Sequence, residues 1–107
     1  MQQLRPAELK AWLEDPDRAP PVLLDVRETW EFERCHIDGA ILLPMSQIQT
    51  TFAQLERDQQ TVVICHHGVR SFHVARFLEH NGFVNVINLT GGVDAWAKEV
   101  DRSMPLY

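Results

Sequence analysis

Apolar and polar positions alternate along this chain in short blocks, and the blocks change period. Leu9, Trp12 and Leu13 recur at helical spacing, and Pro6 suits a first helical position, so a helix is predicted from Pro6 onward. Three prolines then punctuate Asp15 to Pro21, which reads as a loop. Val22 to Val26 is a short apolar run with the length of a buried strand. Glu28 to Arg34 fits a short helix, and Ile41-Leu42-Leu43 a second short strand. Ile48, Phe52 and Leu55 fall at i, i+4 and i+7, the spacing of a third helix.

The second half repeats the alternation more clearly. Thr61 to Cys65 is apolar and rich in β-branched residues, and Ser71 to Asn81 follows as a helix with Val74, Phe77 and Leu78 on one face. Gly82 is placed to end that helix in the left-handed conformation. Val86 to Leu89 is a fourth strand, and Gly91-Gly92 turns into a last helix around Ala95 and Trp96. Short apolar strands alternating with helices predict an α/β fold: a central parallel sheet of four to five strands with helices on both faces. Functional groups in such sheets lie beyond the carboxyl ends of the strands. Asp25 and Cys65 both fall there, which points to one site.

Composition narrows the class. A chain of 107 residues, 45% of them hydrophobic, matches one globular domain over residues 1–107. No apolar run approaches the roughly 20 residues of a membrane span, and Met1 to Lys10 has no apolar stretch of the secretory kind. The expected setting is therefore the cytoplasm, with both cysteines as thiols. A formal net charge of −5 argues against a nucleic-acid partner, although a locally basic mouth still suits a small anion.

Candidate chemistry concentrates in Val62-Val63-Ile64-Cys65-His66-His67-Gly68-Val69-Arg70-Ser71. A cysteine closes an apolar strand, a short loop follows, and a helix begins. A loop of this kind curls around the sulfur with its backbone N–H groups inward, forming an anion nest, and the helix N-terminus adds partial positive charge. Both effects favour the thiolate, the reactive species. Gly68 permits a positive φ in so tight a turn, and Arg70 supplies a cation that either fastens the loop or faces an anionic substrate. A lone cysteine at a strand end is usually buried and inert; the loop, glycine and arginine together favour the reactive reading.

Cys65-His66-His67-Gly68-Val69-Arg70-Ser71 resembles the active-site loop of rhodanese-like sulfurtransferases. Leu23-Leu24-Asp25-Val26-Arg27 looks like that family's first core strand, and Cys35 to Ile41 followed by Pro44 looks like its His-Ile-x-Gly-Ala segment. Thr90 to Trp96 looks like its C-terminal Gly-Gly turn. The resemblance implies a three-layer rhodanese-like fold of the single-domain type and a double displacement through a Cys65 persulfide. Sulfane sulfur would come from thiosulfate or a persulfide donor and pass to cyanide or a thiol, with no organic cofactor and no metal. A cysteine desulfurase or a sulfur-carrier protein is the implied macromolecular partner. His66, His67, Gly68, Val69 and Arg70 become the substrate-binding loop, with Asp25 and Arg27 in support.

Two positions depart from the pattern. Family members that favour thiosulfate often carry Arg or Lys early in the loop, where this chain has His66 and His67. Thiosulfate turnover is therefore expected to strengthen as pH falls toward about 6. Cys35 stands where the family more often has glycine; it reads as a small residue ending a helix, or else as a resolving thiol. Asp25 and Arg27 fit a loop-positioning role and a structural ion pair equally well, and His36 reads as architectural. His73 and His80 should face solvent. Trp12, Trp30 and Trp96 read as packing residues. Cys35-His36 with Cys65-His66-His67 has no compact metal spacing, and adjacent imidazoles in a tight loop should point apart. Two rival functions remain. One is a cysteine-dependent phosphatase or arsenate reductase, disfavoured because tyrosine phosphatases place five residues between cysteine and arginine whereas four separate Cys65 from Arg70. The other is a non-catalytic binding module, which commonly lacks the cysteine.

Overall fold

The computed structural model describes residues 1–107. Five parallel strands form one sheet in the order β1-β5-β4-β2-β3: β1 (Gln2–Leu4), β2 (Val22–Asp25), β3 (Ile41–Leu42), β4 (Thr61–Ile64) and β5 (Val86–Leu89). Helices α1 (Pro6–Glu14), α2 (Thr29–Arg34), α3 (Ile48–Thr51) and α4 (Val69–His80) fill the connections, and α5 (Gly92–Glu99) follows β5.

The period-2 alternation of the strands sorts the core into two layers. Val62 and Ile64 of β4 join Leu9, Trp12, Val93 and Trp96 of α1 and α5. Val63, Leu24 and the following Cys65 face the other way, against Val74, Ala75 and Leu78 of α4 and Ile48 of α3. Strands buried on both sides explain why β2, β4 and β5 read as continuous apolar runs. The chain builds outward from β2 to β3, then returns to β4 and builds toward β5. This change of direction lies between β2 and β4, and Asp25 and Cys65 stand at their carboxyl ends, where the crevice of such a sheet opens.

The structure departs from the sequence reading at several places. Gln2–Leu4 is a fifth strand, pairing with β5; with a single apolar residue at an edge it carries no buried-strand pattern. The predicted third helix is broken into 3₁₀ turns at Met45–Gln47 and Phe52–Gln54 around the four residues of α3. Ile48 is buried there, and Phe52 and Leu55 only pack partly against the core. Helix α4 starts at Val69, two residues before Ser71. Trp30 is not a core residue: it is 61% exposed on α2, with Tyr107 edge-on to its ring. Trp12 and Trp96 are buried, Gly82 follows α4 at φ +90°, and His73 and His80 are exposed, all as read. No helix is long and apolar enough to cross a membrane.

Candidate active site

Cys65 follows directly on β4 and is 1% exposed. The chain then turns so sharply that the Gly68 N–H points back at the sulfur, 3.0 Å from Sγ. That turn requires φ +99° at Gly68, a left-handed conformation that a side chain would strain, and a Cβ there would stand 3.1 Å from the Gly91 nitrogen. Helix α4 begins at the next residue, so its free first-turn amides and positive end lie at the loop. The Cys65 thiol donates to Ser71 Oγ at 3.3 Å, and the Ser71 hydroxyl in turn donates to Asn88 Oδ1. Asn88 Nδ2 donates to the Gly68 carbonyl at 3.2 Å and to Gln3 Oε1 at 3.1 Å. A thiolate at Cys65 accepts only, and the rotatable Ser71 hydroxyl is then a second donor beside the Gly68 amide.

Helix α5 clamps the loop from the other side. Its Val93 N–H donates to the Cys65 carbonyl at 2.9 Å and its Asp94 N–H to the His66 carbonyl at 3.0 Å. This approach needs glycine at 92, because a Cβ there would lie 2.3 Å from the Cys65 carbonyl oxygen. The Gly91-Gly92 turn is thereby explained as a close-approach device.

Arg70 fastens the loop. Its guanidinium makes a two-pronged pair with Glu31, 2.7 and 2.8 Å, and the Glu31 side chain is only 5% exposed. Hydrogen bonding from Arg70, stronger than the opposing effect of burial, holds the Glu31 carboxyl at about 2. The Tyr107 hydroxyl donates to the same carboxylate at 2.9 Å and accepts from Arg27 at 2.7 Å. Burial pushes the Tyr107 phenol up to about 12. Arg27 and Asp25 are fully buried and paired through two guanidinium nitrogens, with Arg27 also reaching the Cys35 carbonyl at 2.7 Å. Of their two readings, the structural pair is what the fold builds; it supports the loop only through Tyr107 and Glu31.

Val69 is exposed and makes no polar side-chain contact. Contrary to the expectation that adjacent imidazoles point apart, the rings of His66 and His67 lie 3.9 Å apart, and His66 is also stacked on Tyr107 at 3.9 Å. His66 is held below the ordinary imidazole range by burial and by His67. The protonation that the expected pH response relies on therefore moves to lower pH at this residue. Cys35 ends α2, buried, with its thiol toward the Pro105 carbonyl at 3.6 Å, and neither cysteine is in a disulfide. His36 lies outside the loop network, stacked on Phe32 and bonded to its carbonyl.

Glu31, Ser71, Asn88 and Tyr107 are absent from the sequence-derived site. Ser71 carried a signal in standing beside Arg70 at the start of a helix. Glu31 is one acid among several in a short polar helix, and Asn88 and Tyr107 reach the loop only through the fold.

Comparison with known proteins bears on the family and the fold. A family profile described as Rhodanese-like domain matches residues 5–99. The chain is 37% identical to the probable adenylyltransferase/sulfurtransferase MoeZ of Mycobacterium tuberculosis over 106 residues, which is 97% of this chain but 26% of that protein. The chain thus spans about a quarter of the length of that relative. It is 36% identical to the thiosulfate sulfurtransferase GlpE of Shewanella oneidensis over 69% of this chain and 73% of that protein. A crystal structure of a rhodanese-like domain protein from Staphylococcus aureus superposes with a TM-score of 0.83 at 32% identity, covering 94% of this chain and 95% of that one. With a nested cysteine at the carboxyl end of β4 and a family match across most of its length, this chain belongs to the rhodanese-like domain family.

Proposed function

We propose that this chain is a sulfurtransferase that carries sulfane sulfur as a persulfide on Cys65. The observation that supports this best is the Gly68 N–H aimed at Sγ from 3.0 Å, in a loop held by two helices and the Arg70–Glu31 pair. In the first half-reaction the Cys65 thiolate attacks the outer sulfur of thiosulfate. A new S–S bond forms, the old one breaks, and sulfite leaves with the electron pair. In the second, cyanide or a thiolate attacks the outer sulfur of the persulfide, and Cys65 leaves as the thiolate. Sulfite is a good leaving group, and the loop donors offset negative charge on sulfur in both the thiolate and the persulfide.

A persulfide on a cysteine desulfurase is the alternative donor, and a sulfur-carrier protein or a thiol the alternative acceptor. The cytoplasm is the setting in which a free thiol of this kind stays reduced.

The phosphatase reading is disfavoured at its arginine. Both terminal nitrogens of Arg70 already bond Glu31 in a two-pronged pair, which leaves fewer donors for a phosphoryl group. The binding-module reading leaves the Gly68, Ser71 and Asn88 contacts around the sulfur without a purpose. The direct test is thiocyanate formation from thiosulfate and cyanide, set against formation from a desulfurase-loaded chain. Turnover from either donor that is lost in Cys65→Ser supports the reading. Phosphate release from an aryl phosphate, with no thiocyanate from either donor, overturns it.

A further inference from the structure

Three ligand-type side chains meet on the outer face of the Cys65 loop. His66 and His67 come from the loop and Asp94 from the first turn of α5, and one ligand atom from each lies within 4.8 Å of the others. We propose that His66, His67 and Asp94 form a binding site for a divalent transition-metal ion of the zinc class. The hydrogen bonds that hold the sulfur and fasten the loop use none of these three side chains.

The backbone sets the site up before any ion arrives. The Asp94 N–H is bonded to the His66 carbonyl at 3.0 Å, and the Val93 N–H to the Cys65 carbonyl at 2.9 Å. The start of α5 therefore stays in register with the two histidines. Zinc bonds of about 2.0–2.2 Å require ligand atoms roughly 3.3–3.6 Å apart in a tetrahedral site. His67 is exposed and Asp94 half-buried, so an ion has access to both side chains, and the Asp94 carboxylate is shared with Lys98.

A second observation points the same way. Nε2 of His66 is buried and has no hydrogen-bond partner in the protein. An unmade hydrogen bond at a buried polar atom costs about 1–3 kcal/mol, so native folds seldom leave one without a ligand or water. The ring is kept by stacking on Tyr107 and His67, and its polar edge is left uncommitted.

The charges suit a dication. A neutral imidazole and an ionised carboxylate are the forms that ligate, and one carboxylate offsets part of the ion's charge. Lys98 pairs with Asp94 at 2.9 Å but is 59% exposed. Such a pair contributes at most about 1 kcal/mol and yields readily to a metal. Two imidazoles and one carboxylate select zinc, copper, nickel or iron over magnesium or calcium. Three protein ligands leave at least one position for water, the arrangement of an exchangeable site.

The test is calorimetric titration of the reduced full chain with zinc, together with the absorption spectrum after cobalt substitution. The expected result is one zinc per chain, with affinity falling by about tenfold or more in His67→Ala and in Asp94→Asn. His67 is exposed and Asp94→Asn is nearly isosteric, so both variants should keep the fold, which circular dichroism verifies. Cys65→Ser should bind as the parent does, and the cobalt form should lack a thiolate charge-transfer band. The proposal is overturned if no ion binds, if binding survives both substitutions, or if it disappears in Cys65→Ser. Sulfur loading of Cys65 needs no ion, so this proposal and the sulfurtransferase reading fail separately.

Discussion

At the scale of single residues, the loop depends on groups whose chemistry can be changed one at a time. Glu31 is the clearest. Its folded pKa of about 2 lies below the ordinary glutamate value of about 4.3. The pair it makes with Arg70 therefore adds stability above about pH 4.3, and that contribution is lost as pH falls through about 2. Glu31→Gln should be less stable than the parent by about 2 kcal/mol at neutral pH, the usual scale for hydrogen bonds to charged groups. The gap should close toward pH 2. Urea unfolding across that range checks this, and a gap independent of pH would contradict it. Gly92→Ala tests the clamp from α5. At φ +59°, with its Cβ 2.3 Å from a carbonyl oxygen, alanine cannot be seated without moving the helix. A loss of about 3 kcal/mol or more is expected, far above the cost of an ordinary surface substitution. Cys65, Gly68 and Arg70 were legible in the sequence because strand end, turn and helix start constrain them locally. Arg70's role was open between fastening and binding, since nothing local names Glu31 as its partner.

At the scale of elements, the sequence revealed those whose apolar residues face a large partner. Strands β2, β4 and β5 and helices α1, α4 and α5 were legible because burial on one or both sides writes a period into them. The edge strand β1 buries only Leu4 and leaves no such period. Between Met45 and Gln54 the apolar spacing was helical, but only Ile48 is anchored in the core, and a four-residue α3 between 3₁₀ turns is what that anchor supports. Strand β5 has a second duty: Asn88 ties it to Ser71 and to the Gly68 carbonyl. Asn88→Ala should therefore loosen the loop without dismantling the sheet. Amide exchange at Gly68 should speed up by about tenfold, corresponding to about 1.4 kcal/mol, while Val62 and Val63 in β4 stay protected. Equal acceleration across β4 and the loop would show that Asn88 stabilises the strand rather than the turn.

At the scale of the whole molecule, a buried ionic network links distant parts of the chain. Asp25 and Arg27 at the end of β2, Glu31 in α2, Arg70 in α4 and Tyr107, 76 residues from Glu31, are joined through hydrogen bonds. Sequence reasoning placed Asp25 near the site but could not find Tyr107, because only the folded chain brings it onto His66 and Glu31. Removing one member of the buried Asp25–Arg27 pair leaves the other charge unpaired out of water. Asp25→Asn should cost about 3–5 kcal/mol, a large part of the 5–15 kcal/mol typical of a domain. A midpoint of thermal unfolding close to that of the parent would contradict this account of the pair.

The proposed function has Cys65 carry the transferred sulfur atom, and the intact mass of the reduced chain tests that most directly. After incubation with thiosulfate, or with a desulfurase and cysteine, the chain should gain one sulfur atom that cyanide removes and that Cys65→Ser does not acquire. A chain that gains no sulfur from either donor, or gains it equally in Cys65→Ser, would contradict the account.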